Sequence, residues 1–262
     1  MTLRNIQLVI PAAGLGSRFA NAGYKTSKPL IKVGNSEMIL WVISNFELIA
    51  GDSIVVISRE QDDLAMVRRR ISPEIDYHNI QIRSVTDGPA STVNLAREIL
   101  NPELPLIVAN SDQYVSSSLN GFLSEVRAGL MDGCVLTMKA RGSKWSYVER
   151  KSGEEIKRVV EKQQISDEAT VGIYAWKNAN LYFNSYDEML ASNDRVNGEF
   201  YVAPTYNYLI RDGLRIGAFH IGNVENAVHG LGTPEDLDVF IANSNFHYWN
   251  SIVESFFESD TR

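Results

Sequence analysis

The chain has 262 residues, of which 44% are hydrophobic and 22% charged, a length that buries a substantial core and a composition that excludes disordered, coiled-coil and collagen-like classes. A net charge of -7 excludes broad electrostatic affinity for nucleic acid, whose binders carry basic surfaces that offset phosphates. The single cysteine, Cys134, excludes an intramolecular disulfide and a cysteine-rich metal site, and its apolar neighbours place it in a buried strand.

In chain order, β-rich runs at Ile6 to Ile10, Ser53 to Ile57, Ile80 to Val85, Pro105 to Ala109 and Gly133 to Met138 alternate with amphipathic stretches. Those stretches, Met38 to Ile49, Asp62 to Arg70, Ser91 to Leu100 and Leu119 to Leu130, predict covering helices on a largely parallel α/β sheet. Beyond about residue 140 the rhythm changes. Strands are expected at Ser146 to Glu149, Ile156 to Val160 and Thr170 to Trp176, and helices near Ala179 to Ala191, Glu199 to Arg211 and Pro234 to Ala242. A last helix over Phe246 to Phe257 is expected to pack on the body, with packing on another subunit of a homo-oligomer left open. No Pro/Gly/Ser linker interrupts the chain, so the second half reads as an extension of the same sheet and the whole as one domain. The apolar stretch Leu8 to Ala13 is too short to span a membrane and runs into Gly-Leu-Gly-Ser-Arg, unlike a cleaved signal peptide. A cytoplasmic protein without membrane insertion is expected.

Charge is unevenly placed. Arg4, Arg18, Lys25, Lys28 and Lys32 all precede Glu37, the first acidic side chain, and this basic island suits a small anionic ligand. It overlaps Pro11-Ala12-Ala13-Gly14-Leu15-Gly16-Ser17-Arg18-Phe19 at the end of the first strand, where ligands collect in a parallel sheet and where glycines let backbone N–H groups approach phosphate oxygens. A dinucleotide fingerprint fails because Phe19 stands where glycine is needed, and a Walker A loop fails because Tyr24 precedes Lys25. What remains is Gly-x-Gly-Ser-Arg, a polar spacer and Lys28-Pro29-Leu30, with Lys25 and Lys32 as solvated neighbours or further phosphate contacts. Farther on, Asn110-Ser111-Asp112-Gln113 follows a strand and places a hard carboxylate oxygen at the ligand edge, suited to Mg²⁺ shared with phosphates. Asp87-Gly88-Pro89-Ala90-Ser91-Thr92 forms a tight turn opening a helix.

This succession resembles the sugar-phosphate nucleotidyltransferase superfamily, which includes the NDP-sugar pyrophosphorylases. The resemblance implies a glycosyltransferase-A-like (Rossmann-like) α/β fold with a mixed, mostly parallel sheet flanked by helices. It implies a nucleotide-binding set of Ala12, Ala13, Gly14, Gly16, Ser17, Arg18, Lys28, Gly88, Thr92 and Ser111, with Arg18, Lys28 and Asp112 catalytic and Asp112 on Mg²⁺. Val159-Val160-Glu161-Lys162 and Val171-Gly172-Ile173-Tyr174 match the superfamily's Glu-Lys and Gly-Ile-Tyr pair, so Glu161, Lys162 and Gly172 are expected to hold the acceptor and its phosphate. Lys144-Trp145-Ser146-Tyr147 and Asn197-Gly198-Glu199-Phe200-Tyr201 resemble a branch associated with bacterial capsule or surface-polysaccharide biosynthesis and add Trp145 and Glu199 to the acceptor set. By this resemblance residues 1 to about 140 form an NTP-binding half, about 141–245 an acceptor-binding half and 246–262 a C-terminal helix of one domain over 1–262.

The sequence departs from the superfamily at His229-Gly230-Leu231-Gly232-Thr233-Pro234, where Gly230 stands in place of a second metal-binding aspartate; Glu225 or His229 is expected to complete the metal's ligands. The implied reaction moves NMP from an NTP, with CTP favoured, to a small phosphorylated acceptor and releases pyrophosphate. A metal-dependent glycosyltransferase using an NDP-sugar and a nucleotide-binding regulator that has lost catalysis are the alternatives. His78, His220 and His247 are expected to be structural, because an acceptor phosphate that is already anionic needs no general base.

Overall fold

The computed structural model describes residues 3–151, 153, 155–224 and 226–258. Strand β1 (Gln7–Pro11) is buried along Gln7 to Ile10, and its alternate residues feed two cores: Leu8 and Ile10 enter one, Val9 the other. That is the pattern of a central strand covered on both faces. In chain order there follow α1 (Ser17–Asn21), the paired β2 (Lys32–Val33) and β3 (Ser36–Glu37), α2 (Met38–Ile43), β4 (Ser53–Arg59), α3 (Ala65–Arg70), β5 (Asp76–Ile82), α4 (Pro89–Asn94), β6 (Leu106–Ala109), β7 (Gln113–Val115) and α5 (Asn120–Ala128). The second half comprises β8 (Gly133–Lys139), β9 (Ser146–Arg150), β10 (Ile156–Glu161), β11 (Glu168–Trp176), α6 (Ala179–Ala191), α7 (Thr205–Arg211), β12 (Ile216–Asn223), β13 (Val228–Gly230), α8 (Pro234–Ile241) and α9 (Phe246–Glu258).

Among the described residues nine strands form one sheet in the order β10-β9-β11-β6-β1-β4-β5, with β8 on β11 and β12 on β8. The β6-β1-β4-β5 section is parallel, β11 runs antiparallel to β6, β8 and β9, and β12 returns parallel to β8. Strands of both halves of the chain therefore belong to a single mixed α/β sheet. One face is covered by α2, α5, α8 and α9, the other by α4, α6 and α7.

Each covering helix follows from its apolar spacing. In α2 all six residues are buried, as in a helix sunk into a core, and the Trp41 indole N–H donates to the carbonyl of Val33 at 2.8 Å. In α9 the buried residues Phe246, Trp249, Val253 and Phe257 recur at helical spacing, and Phe246 and Trp249 pack on Trp41, Tyr114 and Phe240 of the same chain. Asp52, fully buried, accepts from both terminal guanidinium nitrogens of Arg127 and from the N–H groups of Ile6 and Ile49, tying the entry of β1 to α5.

Some boundaries are corrected. The helix expected from Glu199 begins only at Thr205, because the Phe200 backbone is engaged with the Gly88 loop: its N–H donates to the Asp87 carbonyl at 2.8 Å and its own carbonyl accepts from Ala90 at 3.0 Å. The strand expected over Ile80 to Val85 ends at Ile82 and begins at Asp76, in register with β4 from Ser53 onward. β12 and the short β7–β13 ribbon were not anticipated, and that ribbon carries the segment around Gly230 to the site.

Candidate active site

The carboxyl end of β1 opens into the glycine-rich loop. Gly16 adopts φ 60°, a left-handed conformation natural to glycine, and this turn brings the loop against the Lys28 side chain, whose Cβ would stand 3.2 Å from any Cβ placed at 16. Gly14, Gly16, Ser17, Arg18, Lys28 and Ala12 wall a cavity of about 330 Å³ together with Ser111 and Asp112 from the end of β6. Ala13 is buried in the core and does not reach it. Lys28 opens a short 3-10 turn, Lys28–Leu30, held by buried Pro29. Lys32 points elsewhere, to Glu37 at 2.6 Å.

Lys28 Nζ lies 2.5 Å from Oδ2 of Asp112, with both side chains partly exposed to the cavity. Opposite stands Gly232, where a Cβ would sit 2.6 Å from the same oxygen, so a side chain there would displace the carboxylate. The Asp112 carbonyl accepts from the N–H of Leu231 at 2.8 Å, which fixes the two segments together.

A second cavity of about 550 Å³ shares Arg18, Pro89, Asn110, Asp112 and Gly232 with the first and extends to Trp145, Glu161, Lys162 and Gly172. Lys162 is held at φ 55°, a rare conformation for a side-chain-bearing residue, and its N–H donates to the Trp145 carbonyl at 3.0 Å. Its ammonium lies over the Tyr201 ring, 4.2 Å from the centroid, and donates to the Tyr201 hydroxyl, which in turn donates to Oε2 of Glu199 at 2.7 Å. Burial and then the Glu199 carboxylate raise the Tyr201 hydroxyl above its ordinary value, so it remains a donor. Burial likewise pushes the Glu161 carboxyl up, opposed by the Ser146 hydroxyl and by Lys162. The wall thus presents Arg18, Lys144 and Lys162 as cations around the cavity.

Other expected residues are placed differently. Gly88, at φ 124°, lies so close to Phe200 that a Cβ would stand 2.6 Å from its carbonyl oxygen, and Thr92 bonds the Gly88 carbonyl at 3.2 Å and the Thr86 hydroxyl at 2.6 Å. Both hold the loop, while Pro89 between them faces the cavities. Glu199 does not line the cavity and is linked to it through the Tyr201 hydroxyl. His229 lines neither cavity: its ring packs 4.4 Å from Trp249, its Nε2 meets the Ser116 hydroxyl at 3.2 Å, and burial lowers its pKa to about 4. Glu225 lies outside the described residues.

A model of the nucleotidyl transferase family matches residues 7–203. The chain belongs to this family. The likenesses that accompany the match place it in the sugar-phosphate nucleotidyltransferase superfamily. It is 26% identical over 244 residues to the bifunctional protein GlmU of Clostridioides difficile, covering 89% of the chain, and spans about half the length of that relative, 50%. A nucleoside-diphosphate-sugar pyrophosphorylase structure from Vibrio cholerae matches with TM-score 0.76 and 26% identity, over 90% of this chain and 100% of the other. The inositol-1-phosphate CTP transferase of T. maritima shares the fold at TM-score 0.71 and 12% identity, covering 97% and 98% of the two chains.

The sequence pattern does not single out Asn110, Gln113, Tyr201 and Asp236, all of which line the second cavity. A usable signal existed for the first two, because Asn110 to Gln113 is a polar run directly after the wholly buried strand β6. Tyr201 carried none, since an aromatic beside Phe200 reads as core.

Proposed function

We propose that the chain transfers the NMP unit of an NTP, preferentially CTP, to a sugar phosphate or another small phosphorylated polyol, alcohol or amide, releasing pyrophosphate for capsule or surface-polysaccharide precursor synthesis. The observation that carries this reading is the junction of the two cavities, where Arg18 and Asp112 line both while Lys28 faces one and Lys162 the other. A triphosphate on the Gly14 to Lys28 side places its α-phosphorus at that junction, and an acceptor phosphate beside Lys162 supplies the nucleophile.

An acceptor phosphate oxygen forms the new bond to the α-phosphorus, the bond from that phosphorus to the β-phosphate bridging oxygen breaks, and pyrophosphate leaves with the electron pair. Lys28 and Arg18 offset charge on the equatorial and leaving oxygens, the chief protein contribution in phosphoryl-type transfer. Lys162, steadied by Tyr201 and Glu199, orients the acceptor. No side chain removes a proton, because the nucleophile is already an anion.

The residues present fit Mg²⁺. Asp112 offers a hard carboxylate oxygen in the clearance left by Gly232, and Oδ2 of Asp236 stands 3.5 Å from the position a Cβ at Gly230 would take. Both carboxylates line the acceptor-side cavity, and among the described residues no group of three or more His, Cys, Asp or Glu side chains could hold an ion. Asp112 and Asp236 would hold the metal with phosphate and water oxygens, as Mg²⁺ prefers. When bound it supplies positive charge shared between the phosphates.

A thermal-shift panel of CTP, UTP, dTTP, GTP and ATP with Mg²⁺, followed by pyrophosphate assays against phosphorylated acceptors, tests this reading. The expected result is stabilisation by pyrimidine nucleotides, largest for CTP, with pyrophosphate formed only when NTP and acceptor are both present. Preference for ATP contradicts the choice of nucleotide, and turnover of an NDP-sugar without NTP contradicts the reaction.

A further inference from the structure

We propose that Arg195 is a positioning residue that ties the nucleotide-side loop 87–91 to the acceptor-side turn 196–199, so that an NTP seated against the first favours the acceptor beside the second. The inference rests on the two-substrate reading given above and adds a property to it: the substrates bind with positive cooperativity, carried by one guanidinium.

The turn 196–199 is a two-residue hairpin. Val196 and Glu199 exchange both backbone hydrogen bonds at 3.0 Å, and between them Asn197 and Gly198 stand at φ 50° and 85°, the left-handed pair of a type I′ turn. Asn197 lines the acceptor-side cavity, while a Cβ at Gly198 would meet nothing within 4 Å, so the tip has little packing of its own. Arg195 supplies the hold. Its Nη1 donates to the Gly198 carbonyl at 3.0 Å, its Nε donates to Oδ1 of Asn193 at 2.8 Å, and its guanidinium carbon lies 4.0 Å from the centre of the Phe200 ring. The remaining terminal nitrogen, Nη2, donates to Oδ2 of Asp87 at 2.8 Å, across 108 residues of chain.

Asp87 opens the loop whose Pro89 lines both cavities. Backbone hydrogen bonds from Phe200 to Asp87 and from Ala90 to Phe200 join this loop to the base of the turn, and Arg195 joins it to the tip. The planar fork of a guanidinium fixes the Gly198 carbonyl and the Asp87 carboxylate relative to one another. A nucleotide that steadies the loop therefore also removes freedom from the turn, and the acceptor meets a wall already ordered; by linkage the acceptor favours the nucleotide to the same degree. Folding stability gains little from the pair, because the Asp87 side chain is 65% exposed and ion pairs in such positions contribute little.

The test is calorimetric titration of glucose 1-phosphate and glycerol 3-phosphate into the full chain with Mg²⁺, with and without saturating α,β-methylene analogues of CTP, UTP and ATP, whose carbon bridge prevents transfer. The unaltered chain, Asp87→Asn, Arg195→Gln and the double variant are compared. Expected for the unaltered chain is an acceptor Kd about tenfold lower when an analogue is bound. Asp87→Asn and Arg195→Gln should each bring that factor below about twofold, and the double variant should lose no more than either alone. The Kd of each ligand by itself should change by less than about threefold, and Asp87→Asn should lower Tm by no more than about 3 °C. The analogue alone should slow amide hydrogen exchange at Val196 and Glu199 in the unaltered chain and not in the variants. No coupling in the unaltered chain, full coupling in the variants, or a loss of single-ligand affinity as large as the loss of coupling would each overturn the proposal. If neither acceptor binds, the acceptor reading fails, while the exchange measurement still judges the link: protection lost in the variants supports it and equal protection overturns it. If no analogue binds, the two-substrate reading fails and the inference with it.

Discussion

The ammonium of Lys28 stands 2.5 Å from Oδ2 of Asp112, although 84 residues separate them. The pair joins the turn after the glycine-rich loop to the end of β6, and it places one cation and one hard anion on the wall of the glycine-rich cavity. On the reaction proposed above, a ligand phosphate would compete with Asp112 for Lys28, and a metal would compete with Lys28 for Asp112.

Lys28→Ala should lower kcat for pyrophosphate release by about 100-fold to 1000-fold, the effect of removing one group directed at developing charge. NTP affinity should fall by less, since the Gly14 to Arg18 backbone remains. Single-turnover assays at saturating NTP and acceptor separate the two. Unchanged turnover contradicts the role given to Lys28.

Asp112→Ala should abolish binding of Mn²⁺, used as a paramagnetic stand-in for Mg²⁺, in the presence of NTP, and Asp236→Ala should weaken it. Chelation of divalent metal should stop pyrophosphate release from the unaltered enzyme, with recovery on Mg²⁺ addition. Mn²⁺ affinity independent of both carboxylates would place the ion elsewhere.

Tyr201→Phe removes the hydroxyl linking Lys162 to Glu199 but keeps the ring beneath the ammonium. Acceptor KM should rise several-fold, with NTP KM unchanged and thermal stability close to that of the unaltered chain. Glu199→Gln should have a smaller effect of the same kind. If Tyr201→Phe changes NTP KM instead, the assignment of the Lys162 wall to the acceptor is wrong.

His229 titrates at about 4 in the folded chain against an ordinary 6.5, because burial disfavours its charged form. Between those values the unfolded chain binds the extra proton, so stability contributed by neutral His229 is complete above pH 6.5 and is lost as pH falls towards 4. The slope is at most about 1.4 kcal/mol per pH unit for one proton. His229→Phe should flatten the urea-unfolding stability profile over that window; identical slopes in both chains would contradict it.

The parallel section of the sheet and the glycine-rich loop were legible in the sequence because each depends on local pattern: apolar runs such as Leu8 to Ile10, and glycines directly after a strand. Asp112 was legible for the same reason. The acceptor wall was only partly so. Lys162 could be named, yet its partner Tyr201 could not, since their contact requires the Phe200 backbone to dock on the Gly88 loop instead of continuing into α7. The place of His229 was not legible, because residue type alone cannot show that its ring turns into the cluster of Tyr114, Phe240 and Trp249. Asp236 was read as part of a helix start, and only the fold shows its carboxylate beside Gly230.

The central claim is attack of an acceptor phosphate oxygen on the α-phosphorus of an NTP. It is tested most directly with acceptor whose phosphate carries ¹⁸O, incubated with NTP, Mg²⁺ and the enzyme, and followed by ³¹P NMR. The account predicts ¹⁸O in the new bridge between the two phosphorus atoms of the product, unlabelled pyrophosphate in equal amount, and neither product with Lys28→Ala on the same timescale. Label appearing in pyrophosphate or inorganic phosphate, or an NDP released with no bond to the acceptor, would contradict it.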